Sequence, residues 1–406
     1  MPLACLATLF SGGTPSKAEP AYWDGNIPWL TPKDMGHWNG STEEKVSQKA
    51  IGNGTRLAPA GTIFIAVRGM SLHNEIRMIR SDAALTFNQD VKAIVPNKDV
   101  NGRFLYYSLL TKKSELLDAV EAAGHGTGRL PTDRLQSIAI PRLPPRVAGA
   151  ISELFGALDD KIEVNRRMNE TLEAMARALF KSWFVDFDPI RDEMGDEQQI
   201  PPRWTLCPLR EIADVLSGGT PSKGVPTYWG GTIPWVSPKA MVSIHIDKTE
   251  ARVTAAAIDN GTRLVPRGTV LVKVRGMGLH QGVRISQTQC DATFNQDVKA
   301  LVPRRSDGVF LLFAMLDAAP RLLAKVQAAG HGTGVLTTEA LESLLFAVPP
   351  PELANKLTEP LSVLNSKIVA NDREKTLSTL RDALLPKLIS GELRVREAET
   401  SIESVV

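Results

Sequence analysis

The stretch Ser11-Gly12-Gly13-Thr14-Pro15-Ser16-Lys17 is written twice in this chain, returning as Ser217-Gly218-Gly219-Thr220-Pro221-Ser222-Lys223. Its surroundings return with it. Tyr22-Trp23 and Ile27-Pro28-Trp29 become Tyr228-Trp229 and Ile233-Pro234-Trp235, and Asn53-Gly54-Thr55-Arg56-Leu57 becomes Asn260-Gly261-Thr262-Arg263-Leu264. Val67-Arg68-Gly69-Met70, Phe87-Asn88-Gln89-Asp90-Val91-Lys92 and Gly124-His125-Gly126-Thr127-Gly128 reappear as Val274-Arg275-Gly276-Met277, Phe294-Asn295-Gln296-Asp297-Val298-Lys299 and Gly330-His331-Gly332-Thr333-Gly334. An offset held near 206 residues means that a whole domain is duplicated, since solenoid repeats have periods of about 20–50 residues. Any function must use the same module twice.

Each copy is long enough to bury its own core. The chain has 406 residues, 43% hydrophobic and 23% charged, ordinary for a globular protein. No apolar run is long enough to span a bilayer, and the N-terminus shows no signal-peptide pattern. The cysteines Cys5, Cys207 and Cys290 occupy unrelated positions in the two copies and form no closely spaced pair. Neither a disulfide framework nor a zinc site is indicated, and a reducing cytoplasm is the expected setting. A net charge of +2 leaves a nucleic-acid partner open, because such binding depends on a local basic face.

Within each copy the pattern reads as α+β. Thr62–Val67 is β-branched and bounded by glycine, so it predicts a buried strand, and Val91–Val95 predicts another. Phe104, Leu105, Leu109, Leu116, Leu117 and Val120 have helical spacing, predicting a helix from 104 to 120 that Gly124 ends. Ile138–Ile140 predicts a short strand. The first copy lacks the approach sequence Pro201-Pro202-Arg203-Trp204 of the second. Trp23 and Trp29 predict core anchors in a loop rich in Gly and Pro. The Ser11–Lys17 turn is no nucleotide loop, because no glycine immediately precedes Lys17.

After each proline cluster the texture changes. Ile151, Phe155, Leu158, Ile162, Asn165, Asn169, Leu172, Ala176 and Leu179 alternate by four and three, the spacing of a coiled-coil seam. Leu357, Leu361, Leu364, Ile368 and Asn371, then Leu377, Leu380, Leu384 and Leu388, repeat the theme. Rods of roughly 35 residues would be about 50 Å long. No core of one copy needs that length, so each rod predicts the other as its partner. Pro386 should stop or kink the second rod. Asn165 and Asn371 are equivalent, either buried on the seam to fix register or at its solvated edge. Val185–Arg203, with six acidic residues, predicts an exposed linker, and Arg394–Val406 a polar, fraying tail.

The order of module, long helix, linker, module, long helix closely resembles the specificity subunit of type I restriction–modification systems. The motifs Gly-Gly-Thr-Pro-Ser, Tyr-Trp-x-Gly-x-Ile-Pro-Trp, Phe-Asn-Gln-Asp-Val-Lys and the run Phe184 to Pro189 carry the likeness, which covers nearly the whole chain. It departs in the short first lead-in and in Arg146-Val147 and Glu352-Leu353, where the family often has Glu-Gln. The resemblance implies two target-recognition domains, 1–144 and 204–351, separated by spacer helices, 145–184 and 352–390, packed as an antiparallel coiled coil. A linker, 185–203, and a tail, 391–406, complete the division. It implies a non-catalytic subunit that binds double-stranded DNA, with two methyltransferase subunits as partners and restriction subunits where a nuclease exists. S-adenosylmethionine, and ATP with magnesium, would belong to those partners, with no cofactor in this chain.

Symmetry gives the implied role a physical basis. Two like modules on antiparallel rods match the twofold symmetry of a duplex and place one module on each inverted half-site. Linking two readers makes the second contact intramolecular. Because the copies share their distinctive polar motifs, an interrupted, nearly palindromic target is expected.

No catalytic constellation stands out, and neither the six histidines nor the cysteines have metal-ligand spacing. Base readers should be polar, on loops and present in both copies. Arg68 and Arg275 follow a strand and precede glycine, placing them to contact guanine or to pair with Asp90 or Asp297. His73 and His280 lie in the next loop. Asn88-Gln89 and Asn295-Gln296 suit adenine edges or a side-chain-bonded turn. The turns carrying His125, Thr127, His331 and Thr333 offer backbone N–H groups to phosphate, or are permissive turns. Lys17, Lys33, Lys223 and Lys239 suit phosphates or plain solvated surface. A protein-binding scaffold with duplicated modules is the alternative from another class, and salt-dependent duplex binding separates the two.

Overall fold

The computed structural model describes residues 1–193, 200–304, 307–373 and 375–403, except for the side chains at 37, 125, 192–193, 331, 373, 375–376 and 403. It divides into two units, Met1–Val164 with Glu374–Val406, and Asn165–Arg373.

In the first unit, four antiparallel strands lie in the order Ala7–Ser11, Val91–Pro96, Ile63–Ala66, Met78–Arg80. Ile63, Phe64, Ile65 and Ala66 are all fully buried, so this strand is covered on both faces and reads as an unbroken apolar run. One face packs on Leu105, Leu109 and Leu116, the other on Leu30, Leu85 and Phe87. A second sheet, Lys45–Val46, Ile27–Leu30, Leu85–Phe87, Arg56–Ala58, and a third, Glu121–Ala123, Thr127–Arg129, Arg68–Gly69, complete it.

The second unit repeats this plan on Ala213–Ser217, Val298–Pro303, Val270–Lys273 and Ile285–Thr288, and adds His245–Ile246 as a parallel edge strand. It also pairs Thr205–Pro208 with Leu345–Val348. The first copy forms only the bridge Pro2–Ala139 at that place, as its shorter approach sequence predicts.

The predicted helix 104–120 is two helices, Gly102–Leu110 and Lys113–Asp118. The Thr111 hydroxyl donates to Ser108 O at 2.8 Å, a side-chain bond that competes with helix continuation. The second copy is unbroken from Gly308 to Leu323. In both copies a short strand follows before the glycine-rich turn.

The first long helix is continuous from Pro145 to Phe184. In the first unit its buried residues Ile151, Phe155 and Leu158 share a core with Leu377, Leu384 and Leu388 of the helix Lys375–Ser390. In the second unit, Asn169 meets Ile368 and Asp372 while Ala176 shares a core with Leu361, so its stretch of the helix and Pro351–Arg373 run antiparallel. Pro386 does not end its helix, which continues to Ser390 and stops where Gly391 adopts φ 82°.

Two expected loose segments are anchored. Phe187 and Trp204, at either side of the acidic stretch, are buried and meet edge-on at 5.3 Å, while 194–199 lie outside the described residues. The tail contains a helix, Val395–Glu403, whose Ala398 and Ile402 are buried against the long-helix core of its unit; 404–406 lie outside the described residues. Among the described residues no helix is long and apolar enough to cross a membrane.

Candidate nucleic-acid interface

One end of the main sheet gathers the repeated motifs. The first strand ends at Ser11, the central strand at Ala66, and the strand between them begins at Val91, because it runs antiparallel to both. The Gly-Gly-Thr-Pro stretch is a brace at this end. A Cβ on Gly12 would lie 2.0 Å from Phe87 O, and one on Gly13 2.2 Å from Gly54 O, so only glycine fits. Trp29 Nε1 donates to Gly13 O at 3.1 Å, and Trp23 meets the Trp29 ring edge-on at 5.1 Å. The second copy reproduces the bond at 3.1 Å and the ring contact at 5.3 Å.

The Asn-Gln pairs hold turns. Asn88 and Asn295 are 7% and 6% exposed, and their Oδ1 atoms accept the N–H groups of Asp90 and Asp297. Gln89 and Gln296 accept from Thr14 and Thr220 at 2.6 Å. The structure thus gives the two asparagines a place in the turn rather than at the surface, where a base edge would have to meet them.

Arg68 and Arg275 project from the same end. Each begins a two-residue strand paired with the segment after the glycine-rich turn: Arg68 opposite Arg129, Arg275 opposite Val335. Both arginines are exposed, and no hydrogen bond or ion pair holds either among the described residues. The anticipated contact with Asp90 is a field rather than a bond. Burial raises the Asp90 carboxyl above its usual range, and the Arg68 charge pulls it partly back.

Gly69, at φ 142°, turns the chain into a short 3-10 helix, Met70–His73, pinned by buried Leu72. His73 Nε2 donates to Gly126 O at 3.1 Å, which locks this loop to the glycine-rich turn, where the Thr127 hydroxyl donates to Gly124 O. Thr333 and exposed His280 occupy the matching places in the second copy. The side chains of His125 and His331 lie outside the described residues.

The lysines divide differently. Lys17 pairs with Glu44 and sits 3.3 Å over the Trp23 ring, while Lys33 and Lys239 pair with Glu43 and Glu250. These contacts lie beside the Lys45–Val46 edge and its counterpart, not beside Arg68 or Arg275. Lys223 has no such partner among the described residues, because Ala251 replaces Glu44.

Sequence reasoning passed over Met70 and Met277, 72% and 75% exposed directly after the Arg-Gly pairs. A large apolar side chain held out in both copies beside a free arginine suits stacking or methyl contact with a base. Its presence inside the repeated motif was the available signal. Among the described residues no cluster of His, Cys, Asp or Glu is arranged to hold a metal.

The model of the type I restriction modification DNA specificity domain matches residues 3–174 and again 201–376. This chain belongs to that family. As a specificity subunit it recognises DNA sequence and is not itself an enzyme. The type I restriction enzyme MjaIX specificity subunit of Methanocaldococcus jannaschii is 29% identical over 410 residues, covering 97% of this chain and 92% of that protein. The HindI specificity subunit of Haemophilus influenzae is 23% identical, covering 74% and 79%. A solved type I S subunit from M. genitalium shares the fold, with a TM-score of 0.60 at 14% identity and coverage of 96% and 95%. The duplicated Arg-Gly-Met corner exposes an arginine and a methionine in each of the two matched regions.

Proposed function

We propose that this chain reads an interrupted, nearly palindromic DNA site, one half-site per module, and directs partner subunits to methylate adenine there or to cleave the DNA. In this reading 1–144 and 204–351 are the recognition domains, 145–184 and 352–390 the spacer, 185–203 the linker and 391–406 the tail. The partners are two methyltransferase subunits, with restriction subunits where a nuclease is present, acting in the cytoplasm. The observation that carries it is the repeated corner: exposed Arg68 and Met70 in one unit, exposed Arg275 and Met277 in the other, each after the strand end where a glycine-only brace also lies. Arginine donates to guanine in the major groove, and an apolar side chain contacts a thymine methyl.

Residues at the corners are also the ones to test. Arg68→Ala and Arg275→Ala should each cost about 1–3 kcal/mol of discrimination at one half-site if they read a base. The deciding experiment is a genome-wide map of methylated bases after co-expression with the methyltransferase encoded beside this chain. A bipartite, nearly palindromic mark is expected. Two unrelated half-sites would remove the palindrome, and no sequence-specific mark from an assembled, cofactor-bound complex would favour a protein-binding scaffold.

A further inference from the structure

The two corners differ beneath the loop. The central strand ends in Ala66 in the first unit and in Lys273 in the second. The Lys273 side chain is only 8% exposed, its stem packed away while its ammonium still reaches solvent, and among the described residues no hydrogen bond or ion pair holds that ammonium. Burial first, and the Arg284 charge second, push Lys273 below the ordinary lysine range, with Asp297 pulling it partly back.

The loop above it passes close over the Lys273 side chain. A Cβ on Gly276 would lie 3.4 Å from Lys273 Nζ, and one on Gly278 3.5 Å from it. In the first unit Ser71 stands where Gly278 does, so the second copy lacks a side chain directly over a place where it has a cation and the first copy has Ala66. A second exchange has the same sign. Arg77 is paired at 2.7 Å with Glu75, whereas its counterpart Arg284 has Gly282 in place of that acid. The further exchanges of Arg129 for Val335 and Glu121 for Gln327 cancel in charge. The second corner is therefore more positive and more open directly above the Lys273 ammonium.

We propose that Lys273 is a DNA-contacting residue of the second module with no counterpart in the first, its ammonium donating through the gap at Gly276 and Gly278 to an acceptor on the duplex, a phosphate oxygen or a guanine edge. This inference rests on the DNA-reading function and makes one position of the second half-site depart from the palindrome or bind more tightly. Bound DNA supplies the partner that the free protein lacks.

The test uses the full chain assembled with its methyltransferase partner and duplexes carrying the mapped site, with each half-site varied in turn. Lys273→Met keeps the length and removes the charge. It should leave the free protein folded while weakening binding about 5- to 100-fold through the second half-site only. Gly278→Ser, an exposed change, restores the cover of the first unit and should weaken binding in the same direction. A loss confined to one base pair identifies a guanine edge. A loss on every sequence, with a salt slope shallower by about one, identifies a phosphate. Unchanged affinity in Lys273→Met overturns the proposal, and if that variant fails to fold, unchanged affinity in Gly278→Ser does so. If the parent protein binds no duplex, the DNA-reading function itself falls, an outcome distinct from binding that ignores Lys273.

Discussion

Asn371 donates its side-chain amide to Asn169 Oδ1 at 2.9 Å, joining two helices whose partners stand 202 residues apart in sequence. Asn169 in turn donates to Ile368 O and to Asp372 at 3.3 and 3.2 Å. A polar pair on an otherwise apolar seam satisfies itself only in one register, so it costs stability and selects alignment. Either Asn169→Ala or Asn371→Ala should destabilise by about 1 kcal/mol, and the double change to leucine should recover that loss. Urea unfolding of the four proteins checks it. Additive losses would show that the two amides act independently.

The seam shows what the sequence makes legible and where it stops. Apolar spacing of three and four located Ile151, Phe155, Leu158 and Leu361 in buried positions, because burial of a helix stripe leaves that period in the sequence. The duplication makes Asn165 and Asn371 equivalent, yet their surroundings differ: Asn371 bonds Asn169, whereas Asn165 Nδ2 is buried with no hydrogen bond. Register depends on which side chains meet across the interface, and no local period records it. At the corner, the duplication exposed the motifs but not their division of labour. Asn88 and Arg68 look equally suited to DNA in sequence, yet one is buried in a turn and the other is free. Lys273 ends a strand of Val-Leu-Val whose counterpart the sequence reads as buried, and no motif singles it out. Only the fold shows the loop folded over it.

Asp159 takes the Tyr107 hydroxyl at 2.7 Å and the Arg381 guanidinium at 2.6 Å, tying the module, the first long helix and the returning helix of the first unit to one carboxylate. Burial first, and the Asp159 charge second, raise the Tyr107 phenol above its ordinary range, so it stays a hydrogen-bond donor. The carboxylate is about one-third exposed, so the cost is below that of a fully buried pair. Asp159→Ala should destabilise by about 1–3 kcal/mol. Arg381→Met should cost less, because it removes the charge that Asp159→Ala would strand. Equal losses would argue that the ion pair alone matters.

Asp90 makes a prediction about pH. Its carboxyl is raised by burial, so the folded state favours the protonated form. The stability this provides is fully present below the ordinary value of 3.8 and is lost as pH rises through the higher folded value. Asp90→Asn should therefore raise the melting temperature at neutral pH, with the gain shrinking as pH falls below 4. The backbone bonds of the turn, from Val67 N to the residue-90 carbonyl and from its N–H to Asn88, remain available to asparagine. A melting temperature lowered at neutral pH would mean that the Arg68 field outweighs desolvation.

Lys17 and Lys223 occupy equivalent places under unequal restraint. Lys17 is neutralised by Glu44 and held over Trp23, whereas Ala251 leaves Lys223 without that acid. A lysine that must give up a carboxylate to reach a phosphate gains less from DNA than one that gives up only water. Lys223→Ala should thus weaken duplex binding and flatten its salt slope by up to about one, while Lys17→Ala should change both less. Glu44→Ala should steepen the slope by releasing Lys17, and combining it with Lys17→Ala should abolish that gain. Binding isotherms over a range of salt concentrations decide among these. If Glu44→Ala leaves the slope unchanged, the lysine above Trp23 faces solvent rather than DNA, and the basic part of the interface is confined to the Arg68 and Arg275 corners.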